Sequence, residues 1–360
     1  MEMNRERFES VFPTVLEDAL GYAKSIHTPP EAISWLRKNI THNTTPGKHL
    51  RGLLIANTHA QILSRPLNHP EYLLSAKLGW LLEFLQASFL INDDIEDHDT
   101  FRRGQASWHA VPGVGLKAIN DAALLQSIVF FLLKKYLKGV VGGKGEGKGG
   151  TYVEIVELFH EVVFRTGLGQ LVDLISNSKS NSNSGSGDMD EMSKERYETI
   201  ARMKTAYYTI YAPIAVGMYL GGVATEENLQ TMKGIALRLG MYYQVQDDHL
   251  DSFGERSRLG KELGRGIKDG KCSWLIVGAL GRVDELQRGV LEEWYGRGEP
   301  GAVERVQAVF REVGMERVFE EFEEGVMGVV RRDVAGIDER TGLRKGIFMD
   351  IINIMYRRDK

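Results

Sequence analysis

An uncharged run, Phe84 to Asn92, ends abruptly in Asp93, Asp94, Glu96, Asp97 and Asp99, with Arg102 and Arg103 close behind. Positions i and i+4 share one face of a helix, so a helix here points Asp93 and Asp97 the same way, with Asp94 one step round. Carboxylates gathered this closely repel and do not stay ionised together without a counter-charge. A hard divalent cation such as Mg²⁺ supplies one, taking one or two protein carboxylates and leaving positions for water and phosphate oxygens. An acidic run after an apolar one is also how an ordinary helix end meets solvent. A second copy shifts the balance toward a metal: Gln244 to Asp251 reads QVQDDHLD, which repeats Asp-Asp-x-x-Asp as Asp247, Asp248 and Asp251 after another helix-compatible lead-in.

The length of 360 residues suits two ordinary domains or one large one. A hydrophobic content of 42% is ample for a sizeable core, and a formal charge of −4 argues neither for nor against nucleic acid. The single cysteine, Cys272, excludes an internal disulfide and fits a reducing compartment. A buried structural role suits it better than a catalytic one. The first residues, MEMNRERFES, are charged and lack the apolar core of a signal peptide. These features predict a cytoplasmic protein.

Thr205 to Thr225 contains no Asp, Glu, Lys, Arg or His and is long enough to span a bilayer. It even holds a small-xxx-small pair, Gly217 and Gly221. Its threonines, tyrosines and Pro213, and the lack of a second such segment, favour the central helix of a bundle. Elsewhere the period is helical, as in Phe8, Val11, Phe12, Val15 and Leu16, or Leu125, Ile128, Val129, Leu132 and Leu133. No alternating strand with a hairpin turn is evident. Helix stops are expected at Thr28-Pro29-Pro30, Arg65-Pro66 and Pro112-Gly113-Val114-Gly115. Two low-complexity stretches, near 139–150 and 176–190, are expected to be flexible loops, either tolerated insertions or lids.

Basic groups recur beside these features. Gly47-Lys48-His49-Leu50-Arg51-Gly52 follows Pro46, and a turn with lysine and arginine three residues apart can grip a diphosphate. The glycine spacing is not that of a P-loop. Arg102, Arg103, Lys204, Lys261, Lys271 and the tail Tyr356-Arg357-Arg358-Asp359-Lys360 add positive charge. Any one of these is more simply a solvated surface charge. With two acid clusters they form a constellation for phosphate-bearing substrates.

From about residue 40 to the C-terminus the chain resembles the trans-prenyl diphosphate synthases, specifically the eukaryotic farnesyl diphosphate synthase type. The resemblance is carried by DDIEDHDTFRRGQASWHAVPGVGLKAINDAALL from Asp93, by YYQVQDDHLDSFG, and by KDGKCSWLIV from Lys268. It implies an all-α fold, a single large helical bundle spanning 1–360 with a central active-site cavity. It also implies a homodimer, with neither a nucleic-acid partner nor a membrane span.

Residue by residue, the resemblance implies that Asp93, Asp94 and Asp97, with Asp247, Asp248 and Asp251, face each other and hold three Mg²⁺. Arg102, Lys204 and Lys261 match contacts to the allylic diphosphate, dimethylallyl or geranyl. Gly47, Lys48, Arg51, Gln86, Arg103 and Arg358 match the isopentenyl diphosphate pocket. Thr205 and Gln244 match polar groups beside the developing carbocation, and Gln170 and Asp173 a further polar pair. Lys204, Thr205, Gln244 and Arg102 are thus the expected catalytic set.

Three positions depart from the family pattern. Gly264-Arg265-Gly266-Ile267 stands where Gly-Thr-Asp-Ile is common, and Leu50 stands where an asparagine is usual. Ser88 and Phe89, about one turn before the first aspartate, occupy a place where farnesyl synthases commonly carry two aromatics. A missing ring opens volume, so a lowered floor and a geranylgeranyl product are the alternative expectation. Its counterpart is that a neighbouring helix fills the gap. A terpene cyclase is disfavoured, since its second metal motif usually mixes Asn, Ser or Thr with an acid. A catalytically weakened regulatory paralogue is the remaining rival.

Overall fold

The computed structural model describes residues 4–138, 150–177, 189–254 and 263–356. The segments expected to be flexible loops lie almost wholly outside the described residues, as do Lys261 and Arg358. The chain divides into two compact units. The first comprises Met1–Val163, Tyr208–Lys233 and Ile337–Ile347. The second comprises Phe164–Tyr207, Gly234–Gly336 and Phe348–Lys360. The fold class is all-α, as expected.

The first unit is laid down by α1 (Arg5–Glu9), α2 (Phe12–Ser25), α3 (Pro30–Thr44), α4 (Leu50–Leu63), α5 (His69–Glu96) and α6 (Lys117–Leu137). The expected stops hold: Pro29 and Pro30 start α3, Pro66 separates α4 from α5, and Pro112 to Gly115 precede α6. The Phe8-to-Leu16 period runs across a break between α1 and α2, with Phe8, Val11, Val15 and Leu16 all buried. Helix α7 (Gly150–Ile175) gives its first half to this unit, and α9 (Ala212–Leu220) lies within it.

Helix α5 is the element against which the unit packs, chiefly through α4 and α6. It starts with a capping box, in which Asn68 accepts the Glu71 N–H at 3.0 Å and Glu71 accepts the Asn68 N–H at 2.9 Å. Its 28 residues run about 42 Å. Between Leu78 and Ser88 every residue is buried, so the helix needs apolar side chains all round rather than on one stripe. It stops after Glu96, where Asp97 caps it and His98 turns left-handed at φ +56°.

The expectation of no hairpin needs one correction. Phe101–Arg102 (β1) pairs antiparallel with Gln105–Ala106 (β2). The turn residues Arg103 and Gly104 both have positive φ, +51° and +82°, the geometry that matches strand twist in two-residue hairpins. Two-residue strands are too short to show alternation in the sequence.

The uncharged stretch after Thr205 is a buried interior element. It takes up the later part of a π-helical segment, Ala201–Tyr211, and then α9, which is buried from Ala212 through Met218. A Cβ on Gly217 would meet Thr58 at 2.6 Å, and one on Gly221 would meet Ile62 at 2.5 Å. The small-xxx-small pair therefore seats α9 on α4. Among the described residues the one helix long and apolar enough to cross a membrane is α5, and 78% of its apolar window is buried in the protein.

The second unit contains the rest of α7, α8 (Lys194–Ile200), most of α10 (Glu226–Phe253), α11 (Arg265–Lys268), α12 (Trp274–Leu280), α13 (Glu285–Trp294), α14 (Ala302–Glu312) and α15 (Met315–Ala335). Most of α16 (Lys345–Met355) also belongs to it. Its core gathers Tyr197, Val245, Cys272, Ile276, Phe310 and Met315. Cys272 is buried as expected, and burial pushes its thiol up to about 12.

Gly79 marks a close approach of α5 and α4. A Cβ there would lie 2.7 Å from the Gly52 carbonyl oxygen and 2.8 Å from the fully buried Phe8 ring. Backbone cannot give way as a flexible side chain does. Gly79→Ala is expected to cost about 1–3 kcal/mol, read as a lowered Tm in a thermal melt. An unchanged Tm would show that the crossing relaxes freely.

Candidate active site

The first acid set sits at the C-terminal end of α5. Asp97 keeps the helical register, its N–H donating to the Asp93 carbonyl at 2.9 Å, so the expected i, i+4 relation holds. The β1–β2 turn brings Arg102 back over these acids. Its Nε donates to Asp94 Oδ1 at 2.5 Å, one terminal nitrogen to Asp93 Oδ2 at 2.9 Å, and Asp99 Oδ2 lies 3.7 Å away. Part of the counter-charge that the sequence demanded is therefore supplied by the protein. Burial opposes the Arg102 charge, but Asp93 and Asp94 more than offset this and raise its pKa.

The second basic group builds a separate cluster within the same unit. Arg51, in the first turn of α4, is 7% exposed, donates to Thr209 Oγ1 at 2.7 Å and stacks 4.3 Å over the Tyr208 ring. Arg103 donates to the Pro46 carbonyl at 2.5 Å. Gly47 has φ +138°, and a Cβ there would be 3.0 Å from Arg103 Nη1, so only glycine leaves the guanidinium its place. The Gln86 amide lies between Glu83 and the two arginines, and those neighbours assign its oxygen to the guanidinium side, where it accepts from Arg51 at 2.8 Å and Arg103 at 2.9 Å. Lys48 is exposed at the start of the same turn, and Leu50 is the first residue of α4.

The residues expected beneath the acids are closed in. Phe89 meets Tyr208 edge-on at 5.5 Å. Ser88 is fully buried, and Gln126 of α6 donates to its hydroxyl at 2.8 Å. Sequence reading found no sign of Gln126, because nothing local links it to α5.

In the second unit, α10 carries Asp247, Asp248 and Asp251. Asp248 accepts from the Gln244 amide and from the Trp274 backbone N–H, both at 2.9 Å. Burial, with repulsion from Asp247, pushes Asp248 up to about 7 despite those donors. The Tyr197 hydroxyl is buried near Asp248, and desolvation followed by the Asp248 charge raises it well above its ordinary value. Asp251 accepts from the Gly266 backbone N–H at 2.9 Å. The position where an aspartate is usual thus contributes its backbone to the acid set. Lys204 and Thr205 lie in the π-helical segment, a local unwinding common at functional sites. Lys204 pairs with Asp173 at 2.6 Å, Lys271 lies 3.6 Å from the same carboxylate, and Thr205 donates to Gln244 at 2.5 Å. Gln170 is half-buried on α7, one turn before Asp173.

Among the described residues no three acidic, histidine or cysteine side chains converge into a ready-made metal cage. The donor type still fits Mg²⁺, since both sets offer only carboxylate oxygens. Mg²⁺ is typically held by one or two carboxylates together with water and substrate phosphate.

Residues 33–313 match the family described as polyprenyl synthetase. The chain belongs to that family. It is similar over nearly its whole length to curated farnesyl pyrophosphate synthases. The one from Schizosaccharomyces pombe is 40% identical over 99% of this chain and 98% of that protein. The one from Gallus gallus is 37% identical over 100% and 94%. A Trypanosoma brucei farnesyl diphosphate synthase, solved with a bisphosphonate, superposes with a TM-score of 0.89 at 27% identity, covering 100% of both chains.

The pKa of Asp248 has a consequence for this family member's stability. Its folded-state pKa, about 7, lies above the ordinary aspartate value of 3.8, so the folded protein binds this proton more tightly than the unfolded chain does. Stability is then lost as pH rises from about 4 and the loss is complete above about 7. Metal-free protein is expected to melt at higher temperature at pH 5 than at pH 8, by a margin that shrinks in Asp248→Asn. Thermal melts in chelator check this, and an equal margin in the variant would refute it.

Proposed function

We propose that the chain is a trans-prenyltransferase that joins isopentenyl diphosphate to dimethylallyl and then geranyl diphosphate, releasing farnesyl diphosphate. The observation that carries this reading is the full-length likeness to farnesyl pyrophosphate synthases from fungi and vertebrates. Nothing in those likenesses favours a geranylgeranyl product or a regulatory paralogue.

The chemistry follows from the side chains. Breaking the allylic C–O bond leaves a carbocation and a diphosphate anion, so positive charge must stand where the anion develops. Asp93, Asp94, Asp97, Asp247, Asp248 and Asp251 would hold Mg²⁺, three ions in this reading, which would supply positive charge for the leaving diphosphate. Arg102, Lys204 and Lys261 add cationic donors to the same anion. Gly47, Lys48, Arg51, Gln86, Arg103 and Arg358 hold isopentenyl diphosphate, whose double bond adds to the cation. A proton then leaves to the released diphosphate. Thr205 and Gln244, already hydrogen-bonded to each other, offer oxygens beside the cation. Water beside the cation would quench it to an alcohol, so this chemistry requires that water be excluded.

Chain length is set, on this reading, by Phe89 with its Tyr208 contact and by Gln126 filling the space above Ser88. Purified protein given Mg²⁺, isopentenyl diphosphate and each primer is expected to stop at farnesyl diphosphate by mass spectrometry. Gln126→Ala should release chains one unit longer. No elongation from any primer would sink the function, and an unchanged product from Gln126→Ala would sink the floor assignment.

Asp93→Ala or Asp247→Ala is expected to lower turnover by at least about 10²-fold while the protein still unfolds in one cooperative transition. Full activity in either would refute the metal assignment.

A homodimer is part of the same proposal. Phe164, Leu171 and Ile175 recur on one face of α7 at 67%, 51% and 55% exposure, more apolar surface than a helix usually leaves to water. Sedimentation is expected to give twice the 40.4 kDa chain mass, and a monomer in Phe164→Glu/Leu171→Glu. A native monomer would contradict it.

A further inference from the structure

Glu83 is a carboxylate on the most deeply buried part of α5, and the reaction scheme above leaves it without a role. It is 4% exposed. A buried carboxylate is tolerated only when it is hydrogen-bonded and charge-compensated. One oxygen accepts the Gly52 backbone N–H at 2.9 Å, in the first turn of α4, where the helix dipole favours an anion. The other lies 3.6 Å from His49 Nδ1 and accepts the Gln86 side-chain amide at 3.0 Å in the orientation that the surrounding donors and acceptors assign to it. His49 is itself fully buried at the side chain, and its Nε2 lies 3.4 Å from Glu9. Although burial raises the Glu83 pKa, His49, Arg51 and the Gly52 N–H outweigh it and hold the group below the ordinary glutamate value.

An amide has one donating and one accepting end. With its nitrogen turned to Glu83, Gln86 must present its oxygen to the other side, and there it accepts from both Arg51 and Arg103. Those two guanidiniums repel each other, and this shared acceptor, backed by the Glu83 charge, keeps them together. We propose that Glu83 is a positioning residue for the isopentenyl diphosphate pocket, fixing the Gln86 amide so that Arg51 and Arg103 stand side by side to receive the diphosphate. This rests on the reading that Arg51, Gln86 and Arg103 form that pocket. Glu83 touches no substrate in this scheme and acts only through Gln86 and the α4 turn.

Steady-state kinetics with isopentenyl and geranyl diphosphate tests it. Glu83→Gln keeps an acceptor for Gly52 but places a second amide against Gln86, so the Gln86 orientation is lost. The expected result is a KM for isopentenyl diphosphate raised about tenfold. The expected kcat and the KM for geranyl diphosphate stay within about twofold, since a general loss of fold would depress all three. Gln86→Leu should reproduce the effect, and adding Glu83→Gln to it should change the KM by less than about twofold, because the two act as one unit. Should Glu83→Gln fail to fold, Glu83→Asp shortens the reach to Gln86 and is expected to raise the same KM. Arg51→Gln separates the two levels of the argument. If it raises the KM while the Glu83 variants do not, the positioning role is overturned and the pocket stands. If Arg51→Gln leaves the KM unchanged, the pocket reading falls and Glu83's role with it.

Discussion

An ionised group taken out of water must find a partner, and helix α5 buries two carboxylates, Glu83 and Asp94. Its mid-section is buried on every side, yet it holds Glu83 and Gln86, and it ends in Asp93, Asp94 and the Asp97 cap. Neighbouring elements are arranged to answer those charges. The first turn of α4 offers a backbone N–H to Glu83, and the β1–β2 turn returns Arg102 to Asp93 and Asp94. The left-handed Arg103, which reaches Pro46 and Gln86, follows from the same short hairpin. Glycine at 47 leaves room for the Arg103 guanidinium, while glycines at 52 and 79 leave room for the Phe8 ring between α4 and α5.

The two acid sets meet the same physical problem by different means. At the end of α5 a guanidinium pairs with the carboxylates directly, with Asp94 buried and Asp93 half-buried. On α10 the nearest answers to Asp248 are an amide and a backbone N–H, both neutral donors, and repulsion from Asp247 adds to the burial cost. Its carboxyl therefore keeps a proton to about pH 7. A divalent cation that binds there has to displace that proton, so occupancy by metal and pH are linked at this set.

Much was legible because the chemistry is written in runs. Two Asp-Asp-x-x-Asp motifs after apolar helical leads, a lysine-arginine turn after a proline, and breaks at paired prolines are all local signals. The breaks before α3, α5 and α6 came from such signals. Glu83 had one as well, a lone acid three residues before Gln86 in an otherwise apolar run, but a single charge has no period and was passed over. The hairpin was missed because two residues per strand are too few to alternate. Gln126 and Tyr197 had no signal at all, because each acquires its role from a partner 38 and 51 residues away in the chain, Ser88 and Asp248.

The sequence by itself determined the all-α class, the family and the residue types of the acid and basic sets, since these depend on periodicity and on the identity of neighbours along the chain. Only the tertiary structure decided how each charge is answered. Whether Asp94 meets Arg102, whether Ser88 faces a gap or Gln126, and which way the Gln86 amide turns are all settled by helices packed side by side. Their contacts depend on burial and distance across the fold, and no spacing along the chain encodes them.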